Sequence, residues 1–204
     1  DCDIMKKGTL FVVSGPSGCG KGTILAEILK NPNIYYSVSA TTRGMRPGEV
    51  DGVNYHFFTR EQFEQLVQED GVLEYAEYCH NYYGTLRKPV EEHLNAGQDV
   101  ILEIEVVGAM KIREKCPEAV FVFILPPSLT ELERRLHKRG TETEEVVQNR
   151  VAQAEREIRC AESYDYVVVN GALEDAVQDL DAIIRAESCK IKKNQYKIDE
   201  VLGK

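Results

Sequence analysis

The sequence predicts an α/β fold in which a parallel sheet is flanked by helices on both faces. Apolar runs at residues 9–14 (TLFVVS), 99–104 (DVILEI) and 120–125 (VFVFIL) are typical of buried parallel strands. Segments with apolar residues at helical spacing, 21–30 and 106–114, follow the first two runs. This alternation predicts βαβ units, in which neighbouring strands run parallel and helices cover the sheet.

The second half of the chain continues the same alternation. A Ser128/Glu131 capping box begins one predicted helix. A long polar helix is predicted at 142–163, a last strand at 166–169 and a last helix at 173–187. These elements extend the predicted core to residue 187.

Residues 37–90 interrupt the alternation. Strands rich in Tyr and Phe are predicted at 55–58, 72–79 and 81–85, with a helix at 59–69 that opens on a Thr59/Gln62 capping box. This pattern predicts a small α+β insert rather than another βαβ unit. The expected division is a core of residues 1–36 and 91–187, an insert of residues 37–90, and a solvated tail of residues 188–204 with five lysines.

Composition limits the classes of function. The chain has 204 residues, of which 43% are hydrophobic and 29% charged, and its formal net charge is −9. It contains no apolar run of membrane-spanning length, no secretory leader pattern, and six cysteines without a CxxC pair. We therefore predict a cytoplasmic protein of one main domain, with neither a nucleic acid nor a membrane as its partner.

A glycine-rich segment, GPSGCGKGT at residues 15–23, separates the first predicted strand from the first helix. In that context the glycines let backbone N–H groups converge on a phosphate, and the helix N-terminus and a lysine add positive charge. The segment predicts a P-loop that binds ATP or GTP. The predicted nucleotide-binding residues here are Gly15, Pro16, Ser17, Gly18, Cys19, Gly20, Lys21, Gly22 and Thr23.

One P-loop position departs from the usual pattern. Gly22 stands where a Ser or Thr hydroxyl would contact Mg²⁺. Thr23 can replace that hydroxyl only if the helix start is rotated. Otherwise the phosphates of the nucleotide and water hold the Mg²⁺ cofactor, and we predict no direct protein ligand for the metal.

The stretch SATTRGMRPGE at residues 39–49 carries Arg43 and Arg46 without apolar periodicity. Two guanidinium groups, with Tyr55 and Tyr83 from the insert, would form a cradle for a dianionic phosphate.

Surface ion pairs with Glu49 or Asp51 are the alternative for these arginines. The stretch alone leaves both interpretations open.

A second basic cluster lies at about residues 134–150 and includes Arg135, Arg139 and Arg150. A cationic end of a solvated helix is one interpretation. The interpretation we favour is an Arg-rich lid around Gly140 that closes positive charge onto a transferring phosphoryl group.

The acceptor follows from chemistry. A hydroxyl acceptor requires a carboxylate to take its proton, whereas a phosphate acceptor is already mostly ionised near neutral pH, because its second pKa is about 6. The paired arginines favour a phosphate acceptor. The lack of an N-K-x-D motif argues against a GTPase.

Six motifs follow one another along the chain: GPSGCGKGT, SVSATTRGMRPGEVDGVNYHF, LEYAEYCHNYYGT, ILEIE, RRLHKRGTETEE and VVVN. On these motifs the sequence, from about Gly8 to Glu187, closely resembles the guanylate kinase family. The resemblance implies transfer of the γ-phosphoryl group of ATP to GMP, and to dGMP, giving ADP and GDP. It leaves open whether the protein is a monomer or a homodimer.

The resemblance also implies roles for individual residues. Glu74 would accept the N1–H and N2–H₂ donors of guanine, and the hydroxyl of Ser39 or Thr85 would meet O6. The implied GMP-binding set is Ser39, Arg43, Arg46, Glu49, Tyr55, Glu74, Tyr83, Thr85, Glu103 and Glu105. Catalysis would fall to Lys21, Arg43, Arg135, Arg139 and Arg150, with Asn170 near the adenine.

Three positions depart from the family pattern: Gly22 replaces Ser, Glu105 replaces Asp and Val107 replaces Gln. Two alternatives remain beside the enzyme. One is a guanylate-kinase-like scaffold module that binds protein partners, although such modules commonly have an eroded P-loop, whereas Lys21 is present here. The other is a kinase of a different monophosphate, which requires that Glu74 not face the base.

Overall fold

The computed structural model describes residues 7–138 and 143–203. The strands are β1 (Leu10–Ser14), β2 (Ile34–Tyr36), β3 (Ala40–Thr41), β4 (His56–Phe57), β5 (Val72–Tyr78), β6 (Asn81–Leu86), β7 (Asp99–Glu103), β8 (Val120–Leu125) and β9 (Tyr166–Val169). The helices are α1 (Lys21–Ile28), α2 (Arg60–Gln68), α3 (Arg87–Asn95), α4 (Val106–Lys115), α5 (Leu129–Lys138), α6 (Glu144–Arg159), α7 (Leu173–Ser188) and α8 (Ile191–Val201), with a 3₁₀ turn at Cys160–Ser163.

Five strands form the main sheet in the order β2-β7-β1-β8-β9, and every neighbouring pair is parallel. The predicted α/β fold with a parallel sheet is therefore confirmed. Because β1 lies in the middle, the loop that follows it opens at the centre of the edge formed by the strands' carboxyl ends. Ligands of open α/β sheets bind at that edge.

Helices cover both faces of this sheet, which explains why its strands are almost continuously apolar. On one face, Phe11 and Val13 pack with side chains of α1 and α7, including Ile24 and Leu180. The opposite face packs against α3 and α4 and contains Val90, Leu94, Leu102, Ala109 and Ile112. A separate cluster joins α5 to α6.

Four strands within residues 37–90 form a second, mixed sheet in the order β4-β3-β6-β5. Its own small core surrounds Phe63, which is fully buried, together with Ala40 and Val72. The predicted capping box at the start of α2 is present. Gln62 donates its backbone N–H to the Thr59 hydroxyl, and its side chain accepts from the Thr59 backbone N–H.

The structure also contains elements that the sequence analysis did not predict: β2, β3, α3 and α8. The helix predicted at 142–163 is shorter, since α6 begins after a Thr143 cap and gives way to the 3₁₀ turn. The tail predicted as a solvated end contains α8, a helix without buried residues. Among the described residues, no helix is both long and apolar enough to cross a membrane.

Candidate active site

The P-loop depends on backbone conformations that favour glycine. Gly18 and Gly20 have φ angles of 89° and 90°, in the left-handed region where side chains are strained. A Cβ at Gly20 would also lie 2.3 Å from the Asn170 side-chain nitrogen. Gly20 is the N-cap of α1, so the loop leads directly into the helix N-terminus, where N–H groups favour anions.

Lys21 lies folded over this loop. Its Nζ donates to the Gly15 carbonyl at 2.5 Å and to the Pro16 carbonyl at 3.4 Å. These carbonyls hold the ammonium group at the mouth of the loop. A bound phosphate would offer it a stronger, charged acceptor.

Two residues predicted at the nucleotide site form hydrogen bonds that hold the P-loop backbone in place. Asn170 is buried directly after β9 and donates its side-chain amide to the Cys19 carbonyl at 2.8 Å. Arg135 donates to the Asn170 carbonyl at 2.9 Å and to the Cys19 carbonyl at 3.4 Å. Both residues therefore shape the loop, a role that sequence reasoning did not assign to them.

Glu131 was not predicted as a site residue, yet it orients Arg135. Its carboxylate accepts from Arg135 Nε at 2.8 Å and makes two further bonds to Arg134. The bonds from Arg134 and then Arg135 lower the pKa of Glu131 to about 2. The only sequence signal for this role was its spacing of three and four residues from the two arginines.

Of the other predicted lid arginines, Arg150 approaches the P-loop and Arg139 lies outside the described residues. Arg150 donates from a terminal guanidinium nitrogen to the Ser17 hydroxyl at 2.5 Å. A residue of α6 thus reaches the nucleotide loop. Gly140, the centre of the predicted lid, also lies outside the part of the chain that the structure describes.

The arginine loop is built around a two-pronged ion pair. The Arg43 guanidinium donates to both carboxylate oxygens of Glu49, at 2.8 and 3.0 Å. Only 15% of the Arg43 side chain and 18% of the Glu49 side chain are exposed, so this is no loose surface pair. Hydrogen bonds from Arg43 and from the Arg46 backbone N–H lower the pKa of Glu49 to about 2.

Aromatic side chains frame Arg43. Its guanidinium carbon lies 5.3 Å from the ring centre of Tyr55 and 5.7 Å from that of Phe57. Tyr55 meets Tyr83 edge to face at 6.0 Å between ring centres. Three of the four predicted phosphate-binding residues are thus brought together, whereas the fourth, Arg46, is exposed at the rim of the loop.

A cavity of about 310 Å³ lies between the second sheet and α4. Glu74 lines it and is only 5% exposed. One carboxylate oxygen accepts from the Thr85 hydroxyl at 2.8 Å, and burial raises the pKa of the Glu74 carboxyl. The predicted residues that line this cavity are Ser39, Tyr55, Glu74, Tyr83, Glu103 and Glu105.

Thr85 lies behind Glu74 rather than in the wall of the cavity. It is 1% exposed and its hydroxyl is bonded to the Glu74 carboxylate. Gly108 on α4 was not predicted but gives the other carboxylate oxygen its space, because a Cβ there would lie 2.7 Å from it.

A second cavity, of about 470 Å³, joins the two ends of the site. Gly15, Ser17 and Lys21 of the P-loop line it together with Ser39, Tyr55, Glu103 and Glu105. The last four residues also line the Glu74 cavity. One cleft therefore runs from the P-loop lysine to a buried carboxylate, past the aromatic frame of Arg43.

Comparisons with known proteins show the family of the chain. The guanylate kinase family model matches residues 7–187. The guanylate kinase of Desulfitobacterium hafniense is 52% identical over 190 residues, which cover 93% of this chain and 95% of that protein. The guanylate kinase of Carboxydothermus hydrogenoformans is 54% identical over 195 residues, covering 95% of this chain and 96% of that protein.

Among solved structures, the crystal structure of guanylate kinase from Anaplasma phagocytophilum superposes with a TM-score of 0.74. Its sequence is 36% identical, and the match covers 91% of this chain and 88% of that one. The chain therefore belongs to the guanylate kinase family of ATP:GMP phosphotransferases.

Proposed function

We propose that the cleft carries the γ-phosphoryl group of ATP in line to the phosphate of GMP or dGMP, without a general base. The observation that carries this proposal is Glu74. This buried carboxylate has one oxygen bonded to Thr85 and lines a cavity that continues to Lys21. A kinase that reads guanine requires such an acceptor at one end of its cleft and a phosphate loop at the other.

The P-loop would bind the triphosphate. Its glycines and the N-terminus of α1 supply backbone N–H groups, and Lys21 would exchange the Gly15 and Pro16 carbonyls for phosphate oxygens. Arg135 and Arg150 already bond to the loop's Cys19 carbonyl and Ser17 hydroxyl. From these positions they would balance the charge that develops on the transferring group. We place Arg139 in the same role from its sequence position.

The acceptor phosphate would lie against Arg43, Tyr55 and Tyr83, with Arg46 closing over it. Glu49 fixes the Arg43 guanidinium from one side, so its orientation is set before GMP arrives. An ionised phosphate oxygen needs no residue to take a proton. What the chain must provide is alignment of the two phosphates and cancellation of their charge.

Mg²⁺ fits this site as a cofactor. The nucleotide phosphates and water would hold the ion, and Glu103 and Glu105, which line the cavity that contains Lys21, would orient that water. At Gly22 an added Cβ would meet nothing within 4 Å, so there is open space where a family member has its Ser hydroxyl. Bound Mg²⁺ would supply positive charge at the β- and γ-phosphates. Lys21, Arg135 and Arg150 would align those phosphates.

Selection of guanine would depend on Glu74 and on burial. The ionised carboxylate accepts two parallel N–H donors from guanine, while adenine would leave it unpaired in a closed pocket. Ser39 lines the same cavity and can donate to O6. Asn170, bonded to Cys19 behind the P-loop, remains the residue we place near the adenine of ATP.

Two closing motions complete the proposal. The insert at 37–90 would close over GMP, and the segment around Gly140 over ATP. Closure would exclude water that could otherwise take the phosphoryl group.

The test is an ADP-release assay with ATP, Mg²⁺ and a panel of GMP, dGMP, AMP, CMP and UMP. Wild-type protein should turn over only GMP and dGMP. Glu74→Gln should raise the GMP KM roughly thirtyfold, the loss expected for a buried charged hydrogen-bond acceptor. Glu77→Gln, which alters a half-exposed side chain on the same strand, is the matched control and should match wild type.

Three other outcomes are informative. Turnover of AMP would refute the base-reading role of Glu74, and so would an unchanged GMP KM in Glu74→Gln. GMP binding without any turnover would instead favour the scaffold-module alternative.

A further inference from the structure

The strand that carries Glu74 lies at an edge of its sheet. In the order β4-β3-β6-β5, β5 has a strand neighbour on one side only. The pairing with β6 also shifts between Val72 and Glu74, so the bulge falls at Leu73. An edge strand has ladder hydrogen bonds on one side only, and a bulge disrupts the ladder locally. A second element that contacts β5 beside Glu74 would therefore add to the precision with which this residue is held.

That element is α4, which belongs to the main core. Lys115 donates from Nζ to the Leu73 carbonyl at 2.8 Å, and Lys111 donates to the Tyr75 carbonyl. The two lysines are four residues apart and so lie on one side of the helix. The two carbonyls belong to the residues on either side of Glu74. The helix is thus hydrogen-bonded to the strand immediately before and after Glu74.

The side chain of Glu74 meets the same helix one turn earlier. The 2.7 Å separation between an ideal Cβ at Gly108 and one Glu74 carboxylate oxygen places that carboxylate against the first turn of α4. The positive end of the helix dipole lies at that turn. Helix α4 therefore makes three contacts at this point of β5: one with the Glu74 carboxylate at Gly108, and one with the backbone carbonyl on each side of Glu74.

Charge gives the lysines a second effect. Burial raises the pKa of Glu74, while the hydrogen bond from Thr85 and the positive charges of Lys111 and Lys115 act in the opposite direction. The remaining titratable groups that face the carboxylate across the cavity are Tyr55, Tyr78, Tyr83, Glu103 and Glu105. None of these groups is a cation, so the lysines supply the positive charge that favours ionisation of Glu74.

We propose that Lys111 and Lys115 are positioning residues for guanine recognition. They hold the backbone on both sides of Glu74 and supply the positive charge that keeps this buried carboxylate ionised for GMP. The inference rests on the proposed function, since it assigns to α4 the support of the residue that reads the base. Neither lysine lines the two cavities of the cleft, so both would act through Glu74.

The test compares Lys111→Met, Lys115→Met and the double variant with wild type and with Lys88→Met. Met keeps the length of the apolar stem and removes the donor and the charge. Lys88 on α3 is an 85% exposed lysine in a weak ion pair with Glu92, so its variant should behave as wild type. The measurements are kcat and the KM values of GMP, IMP and ATP between pH 5.5 and 9. IMP lacks the 2-amino group of guanine, from which one Glu74 oxygen would accept a hydrogen bond.

In the double variant the GMP KM should rise about tenfold at pH 7, and the acid limb of kcat/KM for GMP should move upward by about one pH unit. The preference for GMP over IMP should shrink, while the ATP KM stays within about twofold of wild type. Titration of the GMP phosphate also contributes to the acid limb, but it does so equally in both proteins. Lys111→Arg with Lys115→Arg retains both charges and should keep the acid limb in place.

A double variant with the wild-type GMP KM and acid limb would overturn the inference. Equal increases in the GMP and ATP KM values without movement of the acid limb would also overturn it, because general loosening of α4 gives that pattern. If the double variant does not fold, the single variants decide by the same criteria.

The Glu74→Gln background separates the two proposals. Loss of GMP selection in Glu74→Gln with normal lysine variants would reject only the inference about the lysines. A normal GMP KM in Glu74→Gln would reject base reading itself. If Glu74 reads the base and the lysines act through it, the lysine substitutions should change the GMP KM little further in the Glu74→Gln background.

Discussion

The P-loop and the Glu74 cavity, the two ends of the proposed site, are built in different ways. The P-loop is one continuous segment whose binding groups are backbone N–H groups and one lysine, and its shape depends on glycines at 18 and 20. The cavity takes its groups from β5, β6, β7 and α4, and its central residue is a buried acid. In the proposed function, phosphate binding is thus local in sequence, whereas base recognition depends on tertiary packing.

The two regions also differ in electrostatics. At the P-loop, Lys21 and Arg135 are held by carbonyl oxygens that a phosphate can replace or supplement. In the cavity, the Glu74 carboxylate is desolvated and has a raised pKa. We therefore expect substitutions near the P-loop to affect the rate, and substitutions near Glu74 to affect which substrate is used and at what pH.

The largest effect is expected for Lys21→Ala. Loss of the charge that cancels the transferring phosphoryl group should lower kcat about 10³-fold, with the GMP KM within about threefold of wild type. Steady-state kinetics with each substrate varied would measure this. Lys30→Ala is the control, because Lys30 is 70% exposed just beyond the far end of α1. Equal losses in kcat and in GMP affinity would contradict the view that Lys21 acts on the rate and not on GMP binding.

Arg43→Ala should mainly change GMP binding. Removing a guanidinium that meets a dianionic phosphate should raise the GMP KM roughly thirtyfold and leave the ATP KM near wild type. Glu49→Gln should raise the GMP KM only about threefold, because this substitution weakens the interaction that orients the Arg43 guanidinium but leaves the guanidinium in place. A larger effect in Glu49→Gln than in Arg43→Ala would show that Glu49 contacts GMP itself.

The Arg43–Glu49 pair should not contribute to the pH dependence of GMP use. The pKa of Glu49 is lowered to about 2, so its interaction with Arg43 is lost only as pH falls through that value. Between pH 5.5 and 9 the pair stays charged. An acid limb that moves in Glu49→Gln would break the assignment of this limb to Glu74 and to the GMP phosphate.

A smaller effect is expected on stability at Glu74. Because the folded protein raises the pKa of this carboxyl, the ionised form destabilises the fold once pH rises through the folded pKa. Glu74→Gln should therefore have a Tm higher than wild type at pH 8, by about 2 °C, and the difference should shrink as pH falls. A Tm difference that is constant across pH would mean that packing, not ionisation, distinguishes the two proteins.

The smallest effect is expected for Gly22→Ser. An added side chain meets no atom within 4 Å, so the hydroxyl can be accommodated and should lower the Mg²⁺ concentration needed for half-maximal rate by about threefold. Gly22→Ala provides the control, because both variants gain helix propensity in α1 but only Ser gains a ligand. Identical Mg²⁺ dependence in the two variants would show that the hydroxyl is not used.

The same contrast explains what could be predicted from sequence. The strands β1, β8 and β9 were predicted within one residue because each is a continuous apolar run. In β1 and β8 the run reflects burial, whereas Val167 and Val169 of the edge strand β9 are exposed. The capping box of α2 was predicted because it is a local pattern. The short strands β2 and β3 leave no periodicity to detect, and only Val90 and Leu94 of α3 are buried.

In the site, resemblance supplied Glu74, but nothing local indicated its supports. Lys111 and Lys115 look like ordinary surface residues of α4, since their role depends on which strand edge lies beside them. The resemblance placed Asn170, at the end of the last predicted strand, near the adenine of ATP. Its bond to Cys19, 151 residues earlier, is a product of the fold. Local sequence patterns do not show which distant segments come into contact, so these roles could not be predicted.

The small core around Phe63 has a consequence for how the molecule opens. The second sheet buries most of its own apolar residues around Phe63 and shares Leu73 of β5 with the core on the α3 and α4 face, so its separation from the main core would expose only part of either core. The insert is therefore expected to unfold as a cooperative unit of its own, below the free energy of global unfolding. Amide hydrogen exchange should show protons of β3 and β6 exchanging together, earlier than those of β1 and β8, and GMP should slow the first group alone.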